Sequence, residues 1–553
     1  MADSHEYITS LEDVKIGKNV LESLTRSAYD DCRCILREYV QNAADQIDIA
    51  REQHLSEDDD YSIHIDIRPQ SKYIEIEDNA TGVRAVEIYP VLRNVACSRK
   101  DRKTRKGFRG IGRLGGLGYC DTLTFVTSYK GESVRSILKW NASKMSEMID
   151  DEYDESSASE VVATVTTLYT EPENVDKHYF KVVLENVNDD RLLDVNDIRD
   201  YLSMVAPVEI ANTFLPFKNK IKKFMEKNHL TLDTYNVFVN CDPVYKKYTK
   251  TIYEKNKIER DSVRDVVCKI RVDSTGKPLY WWWYSICTLD GMIDYSNVAH
   301  GIRLRCKNIQ LGDETNCRRF LPNKQDQRFN DYFFGEIHVL SESLVPNMDR
   351  NYLRVDTVRD IFERMVIEDF SELKALCYQA SGYRSEFKKI ADAKKKGEQL
   401  EEKKKQQKFA SEEQLKKEEE EFEKSQREAQ KAKQSMDKRM GQMRDLGSPI
   451  ADVMQDAYNP DSLGLQDRFE QPSLFSSQDV KKNHDTVSEP QQSTEGNDDS
   501  PLSYVRTSKS IYDKFNAQTK EVINAVYKII GDVLPIEEMR EALITKIEEE
   551  LTK

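Results

Sequence analysis

Apolar positions change their spacing several times along the chain, and each change marks an element. Ile35, Leu36, Tyr39, Ala43, Ile47 and Ala50 recur every three or four residues and predict an amphipathic helix. Val14, Ile16, Val20, Leu21 and Leu24 predict a leading helix before it. Ile63, Ile65 and Ile67, then Ile74 and Ile76, alternate with polar residues and predict two adjacent strands. Residues 119–129, 133–140 and 161–169 read as further strands. After Asn186 a helix over 195–205 leads into strands at 235–239, 266–272, 279–287 and 302–311, an α+β mixture. Another strand ends near Ser341, and Val358, Ile361, Met365, Phe370 and Leu373 predict a helix over 357–383.

Beyond this the pattern thins. Residues 384–446 are nearly all Lys, Glu and Gln, with Leu400, Phe409, Leu415 and Phe422 too sparse for a continuous heptad seam. A long charged helix acting as a spacer, or a weak coiled coil, is expected. Residues 447–505 gain Pro, Ser, Gln and Asp and read as a disordered linker. Helical spacing returns at Ile511, Phe515, Val522, Val526 and Ile529, and after Pro535 at Ile536, Met539, Leu543 and Ile547. Two such helices bury too little alone, so 506–553 should meet a partner surface, most simply a second copy in a homodimer. The expected divisions are 1–190, 191–383, 384–446, 447–505 and 506–553.

Composition adds exclusions. At 553 residues the chain is long enough for two or three domains. A net charge of −15 argues against a nucleic-acid binder of large footprint. The sequence shows no run of 18 or more apolar residues and a polar start over 1–11, so neither a membrane span nor a signal peptide is expected. The 10 cysteines are scattered, Cys32 and Cys34 being too close for a zinc knuckle, which suits a reducing cytoplasm.

Chemistry concentrates in three stretches. On the first helix Glu38, Asn42 and Asp45 stand at i, i+4 and i+7, within one arc. An Asn oxygen can ligate Mg²⁺ without adding charge, and a neighbouring carboxylate can deprotonate a water; a solvated face is the plain alternative. In IEIEDNATG (74–82) a strand ends at Asp78 and turns through to Gly82. A carboxylate there can accept from the exocyclic amine of adenine, although a surface turn reads as well. GFRGIGRLGGLGY (107–119) supplies glycine N–H groups suited to an anion, and Ile111, Leu114 and Leu117 argue for an ordered element over a linker.

The order of these boxes resembles that of the GHKL ATPases, the gyrase, ninety-kilodalton heat-shock chaperone, histidine kinase and MutL superfamily. GIGRLGGLGYCDTLTFVTS resembles the chaperones' equivalent run in spacing as well as type. The resemblance implies a Bergerat-type α/β sandwich over 1–190 and an α+β transducer-like middle domain over 191–383. It implies ATP and Mg²⁺ as ligands, Glu38 as base for the attacking water and Asn42 as the Mg²⁺ ligand. Asp78 becomes the adenine reader with Gly82 beside it, Asp45 matches the acid closing the first box, and Gly110, Ile111 and Gly112 lie at the phosphates. Ala80 replaces the usual middle Gly of the Asp box, small enough to fit but able to reshape the pocket. Ser98 and Lys100, in the basic run 95–107, resemble the start of the ATP lid, whose charges contact phosphate or merely solvate it. A Thr near the adenine is matched best by Thr164, with Thr166 and Thr167 competing.

Two further features belong to the middle domain. Trp281, Trp282 and Trp283 stand consecutively in one strand, so one indole faces outward, packed beneath a helix or exposed for a partner. The loop SLVPNMDRNYLR keeps an Asn and its spacing to Arg350, resembling the chaperones' catalytic loop. Arg350 would reach the γ-phosphate; a structural pairing with Asp349 or Glu342 is the alternative. A glutamate at 38 favours hydrolysis over phosphotransfer. The expected protein is a cytoplasmic ATPase clamp acting on protein clients, with an ATP-gated DNA machine resembling MutL or MORC proteins, including nucleic-acid defence, as the alternative.

Overall fold

The computed structural model describes residues 15–25, 31–95, 112–347 and 350–460. A short helix α1 (Asn19–Leu24) precedes α2 (Cys34–Glu52), the helix expected from its apolar spacing. The strands β1 (Ser62–Arg68) and β2 (Tyr73–Asp78) pair antiparallel with Ile65 opposite Ile76. There follow β3 (Thr122–Ser128), β4 (Val134–Asn141), α3 (Ala142–Asp150), α4 (Ala158–Val165), β5 (Thr166–Pro172), β6 (Tyr179–Glu185) and α5 (Val195–Val205). After α6 (Leu215–Lys227) come β7 (Asn236–Val239) and β8 (Asp242–Pro243). The eight strands form one sheet in the order β5-β4-β3-β6-β2-β1-β7-β8. All its pairings are antiparallel except β1 with β7. The apolar stripe of α2 buries against the inward isoleucines of β1 and β2 and against Leu123, Phe125 and Leu184, the half-buried arrangement that strict alternation encodes.

The middle body opens with the hairpin β9 (Thr251–Tyr253) and β10 (Glu259–Ser262). Its main sheet contains β11 (Asp265–Val272), β12 (Pro278–Ile286), β13 (Gly301–Cys306), β14 (Ile309–Leu311) and β15 (Phe334–Val339), in the order β11-β12-β15-β13-β14. The three tryptophans lie on β12 and all are at or below 1% exposed. Trp281 stacks on His338 and meets Phe224 of α6, while Trp282 on the opposite face meets Phe370 of the following helix. Both faces of the strand are covered, so no indole is left for a partner.

That helix, α7 (Thr357–Lys405), runs for 49 residues. The charged region does not continue as a single spacer: it breaks after Lys405 and returns as α8 (Glu412–Asp445). Lys403 pairs with Glu418 and Lys404 with Glu419 near the turn, and Arg439 bonds Gln379 farther down, which makes the hairpin antiparallel. A Cβ at Gly397 would lie 2.7 Å from the Phe422 ring, so glycine sets how closely the helices approach. A helix α9 (Ile450–Ala457) then occupies the start of the expected linker, burying Ile450 and Met454. The remaining expectations for 461–553 lie outside the described residues. Among those described, no helix is long and apolar enough to cross a membrane.

The boundary expected at 190 also moves. Ile198, Leu202 and Val208 join the core of the eight-stranded sheet, as do Tyr235 to Val244 through β7 and β8. Between them α6 packs Phe217 and Ile221 into the middle core. The chain therefore crosses between the two bodies three times, near 209, 233 and 246. The crossings are tied together. Ala211 N–H donates to Lys246 O, Lys246 N–H to Glu209 O, and Tyr235 N–H to Pro207 O. Fully buried Lys246 pairs with Glu336 and donates to Asn308 Oδ1, and Asn308 Nδ2 donates to Asp233 O. Arg305 closes the knot by donating to Met204 O at the end of α5.

Candidate functional site

The site is built on α2. Glu38 is only 5% exposed, Asp45 is fully buried and Asn42 half-buried, one turn apart along the helix. The Gly112–Gly118 turn of 3₁₀-helix lies against this helix. The Tyr39 hydroxyl donates to Arg113 O and accepts from Gly116 N–H, both at 3.1 Å. A Cβ at Gly112 would sit 2.6 Å from Glu38 Oε2, so the backbone comes as near the carboxylate as only glycine permits. Gly112 thus stands beside Glu38, while Ser98, Lys100, Gly110 and Ile111 lie outside the described residues.

The second part of the site is the turn after β2. Asp78 is buried, paired across the sheet with Ile63 and Phe180, and its Oδ1 accepts from Ala80 N–H at 3.2 Å. Every following residue is anchored. Asn79 accepts from Ser62 N–H and donates to Asp60 O. The Ala80 carbonyl lies 2.6 Å from His178 Nδ1. Thr81 donates to Gln46 Oε1 at 2.7 Å, joining the turn to α2 one helical turn beyond Asn42. Gly82 has φ +66°, and a Cβ there would fall 1.9 Å from Ser128 O, so no other residue fits. Val83 N–H donates to the buried Thr127 hydroxyl, which donates to Tyr179 O. Ala80 is fully buried in this turn.

Thr164 is not part of this arrangement. It lies in α4, exposed, with its hydroxyl turned back to Glu160 O, and the strand begins only at Thr166. The capping box of Ser157 with Glu160 starts a helix where the β-branched run 161–167 suggested a strand. Thr127, which bonds the residue after Gly82, was missed because it sits on β3, distant in sequence from the Asp box.

The third part comes from the middle body. Residues 345–347 and 350–354 are drawn together by the Pro346–Leu353 bridge, with Asn347 N–H donating to Tyr352 O and Arg354 N–H to Val345 O. Arg350 lies in the loop at φ 54°, an uncommon conformation for a side-chain-bearing residue. Its carbonyl accepts from Gly312 N–H at 2.8 Å, and the buried Asn316 amide donates to Asn351 O next to it. So held, Arg350 Nε reaches Glu38 Oε1 at 3.1 Å. Arg37, adjacent in sequence, adds Nη2 at 3.5 Å from the same oxygen. Glu342 is exposed and Asp349 lies outside the described residues, while Glu38 is a partner of Arg350. Nothing in the helical pattern marked Arg37.

Among the described residues no cluster of three or more His, Cys, Asp or Glu could hold a metal unaided. Asn42 offers one oxygen on the helix of Glu38, which suits Mg²⁺ completed by phosphate oxygens and waters.

Residues 35–170 match the family model described as histidine kinase-, DNA gyrase B- and HSP90-like ATPase. Chaperone protein HtpG of Clostridium perfringens strain 13 is 23% identical over 377 residues, covering 62% of this chain and 54% of the relative. HtpG of Clostridium botulinum strain Loch Maree is 23% identical over 366 residues, with the same coverage. HtpG of Mycolicibacterium vanbaalenii is 24% identical over 188 residues, 30% of this chain and 29% of that protein. The chain spans about half the length of the clostridial relatives it matches. A carboxylate-bearing helix, an Asp turn anchored to it and a glycine helix packed on it, together with these matches, identify residues 35–170 as an ATPase domain of the GHKL superfamily, in a chain similar to the HtpG chaperones.

Proposed function

We propose that the protein hydrolyses ATP as a conformational switch in which the middle body supplies the cation that completes the site. The observation carrying this reading is the 3.1 Å pair between Arg350 Nε and Glu38 Oε1, formed by residues 312 positions apart in sequence. Glu38 is the general base: its carboxylate takes a proton from the attacking water. Arg350 and Arg37 both lie against that carboxylate. A γ-phosphate competes for Arg350, and transfer of the guanidinium to it both frees Glu38 and neutralises charge developing on the transferred group. Asp78 holds the base through its anchored turn, and Gly112 lets the phosphate-side backbone approach. Mg²⁺, when bound at Asn42, offsets phosphate charge. A chaperone-like clamp working on protein clients, as a homodimer assembled through 506–553, belongs to the same reading.

The test is Arg350→Ala in the full chain. ADP has no γ-phosphate to meet the guanidinium, so ADP affinity should stay within about twofold, while turnover falls on the order of 10³-fold, as for trans-acting arginines. Unchanged turnover would leave Arg350 a structural loop residue. A fragment ending near 186 is unsuitable, because it removes α5 and the strand β7 that pairs with β1.

A further inference from the structure

We propose that His178 is a positioning residue for nucleotide-base recognition, acting through Ala80; this rests on the ATP reading above. Residues 78–83 carry the carboxylate assigned to the base, and a recognition group must be held to about 0.5 Å to discriminate. Asn79, Thr81 and Val83 are each secured by neutral amides or hydroxyls from Asn79 itself, Gln46 and Thr127. Ala80 has no polar side chain and is fully buried. Its peptide groups are nonetheless bonded on both sides: the N–H to Asp78 Oδ1 at 3.2 Å and the carbonyl to His178 Nδ1 at 2.6 Å. The imidazole therefore fixes the Ala80–Thr81 peptide, which shares the Ala80 Cα with the Asn79–Ala80 peptide whose N–H holds one carboxylate oxygen of Asp78.

The lever is short and stiff. His178 immediately precedes β6, and two residues on Phe180 pairs with Asp78 itself. The backbone of Tyr179 lies between them, close enough that a Cβ on Gly82 would stand 2.9 Å from its carbonyl oxygen. A carbonyl can only accept, so Nδ1 carries the proton in this contact. Removing the imidazole leaves the Ala80 carbonyl without this partner, and a turn that shifts to recover one moves the Ala80 Cα it shares with the N–H bonded to Asp78 Oδ1.

Binding of ATP and of ADP to the full-length protein, with steady-state turnover, tests this. His178→Ala should weaken both nucleotides by about tenfold, the value of one hydrogen bond, with kcat at saturation within about twofold of the parent. His178→Asn, whose Nδ2 occupies roughly the Nδ1 position, should restore affinity; His178→Gln, which places its donor near Nε2, should not. This split between Asn and Gln is one that a merely space-filling histidine would not produce. Parental affinity in His178→Ala, or equal losses in the Asn and Gln variants, overturns the proposal. Should His178→Ala fail to fold, the Asn and Gln pair decides alone. A parent protein that binds no adenine nucleotide overturns the ATP reading and this inference with it, whereas a binding parent with indifferent variants overturns only the role of His178.

Discussion

Glu38 touches two guanidiniums and a glycine backbone, whereas Asp78 touches its own turn, and this difference decides what each substitution does. In the proposed reading, Glu38→Ala removes the proton acceptor but none of the base contacts. Turnover should fall by 10²- to 10⁴-fold with ATP affinity changed only a few fold, read by single-turnover hydrolysis beside equilibrium binding. Asp78→Asn keeps the shape of the turn yet exchanges an acceptor for a donor, so binding should fail first. Normal affinity in that variant would remove Asp78 from base recognition. At this scale much was legible: Glu38, Asn42 and Asp45 share a face simply because helical geometry repeats. Thr127, Gln46 and His178 were not, because each acquires its role from a residue on a different element.

Elements were legible where local signals agreed and misread where one of them was passed over. Ser157 followed by Glu160, and Ser411 followed by Gln414, are both helix-start signatures. The first turns 158–165 into α4, and the second restarts the charged region as α8 after a break. The run PLYWWWYSI is nearly all apolar, the mark of a strand covered on both faces, so it has no outward indole.

The cover over β12 makes an acid–base prediction. Burial raises the Asp369 carboxyl on α7 to about 6, against the Tyr280 hydroxyl that donates to it and Arg271 nearby. Its contribution to stability is complete below the ordinary carboxylate range and is lost as pH rises through about 6. His338, stacked on Trp281, is pushed down to about 4 by burial, against the pull of Glu336. Its contribution is complete above the ordinary imidazole value and is lost as pH falls through about 4. The two slopes oppose each other between pH 4 and 6. Asp369→Asn, which keeps a partner for the Tyr280 hydroxyl, leaves the histidine slope unopposed. Denaturant unfolding of the variant should then lose roughly 3 kcal/mol more than the parent on acidification across that window. Parallel curves for the two proteins would refute the assignment.

Across the whole molecule, the family domain was legible because its boxes are contiguous, but its boundary was not. β7 completes the sheet through a parallel pairing with β1 across more than 170 residues of chain, and no local pattern reports such a partner. The three tied crossings that follow from this path predict how the protein responds to cutting. A single proteolytic nick between β7 and α7 should leave both pieces eluting together in native gel filtration and separating only under denaturant. Fragments that part in native buffer would show that the crossings are not fastened as described.

That threading also governs how the protein can be recombined. The ATPase body is not a contiguous cassette: its sheet takes strands from both sides of α6, and α6 belongs to the other body. A chimera joined at one point after β6 would inherit a sheet lacking β7 and β8, and a middle core lacking or duplicating α6. Exchange between relatives is coherent only at two junctions that carry β7 and β8 with the ATPase body and leave α6 behind. A lineage swapping this switch onto a new body must move it as interleaved pieces, so the two halves are held to a shared history.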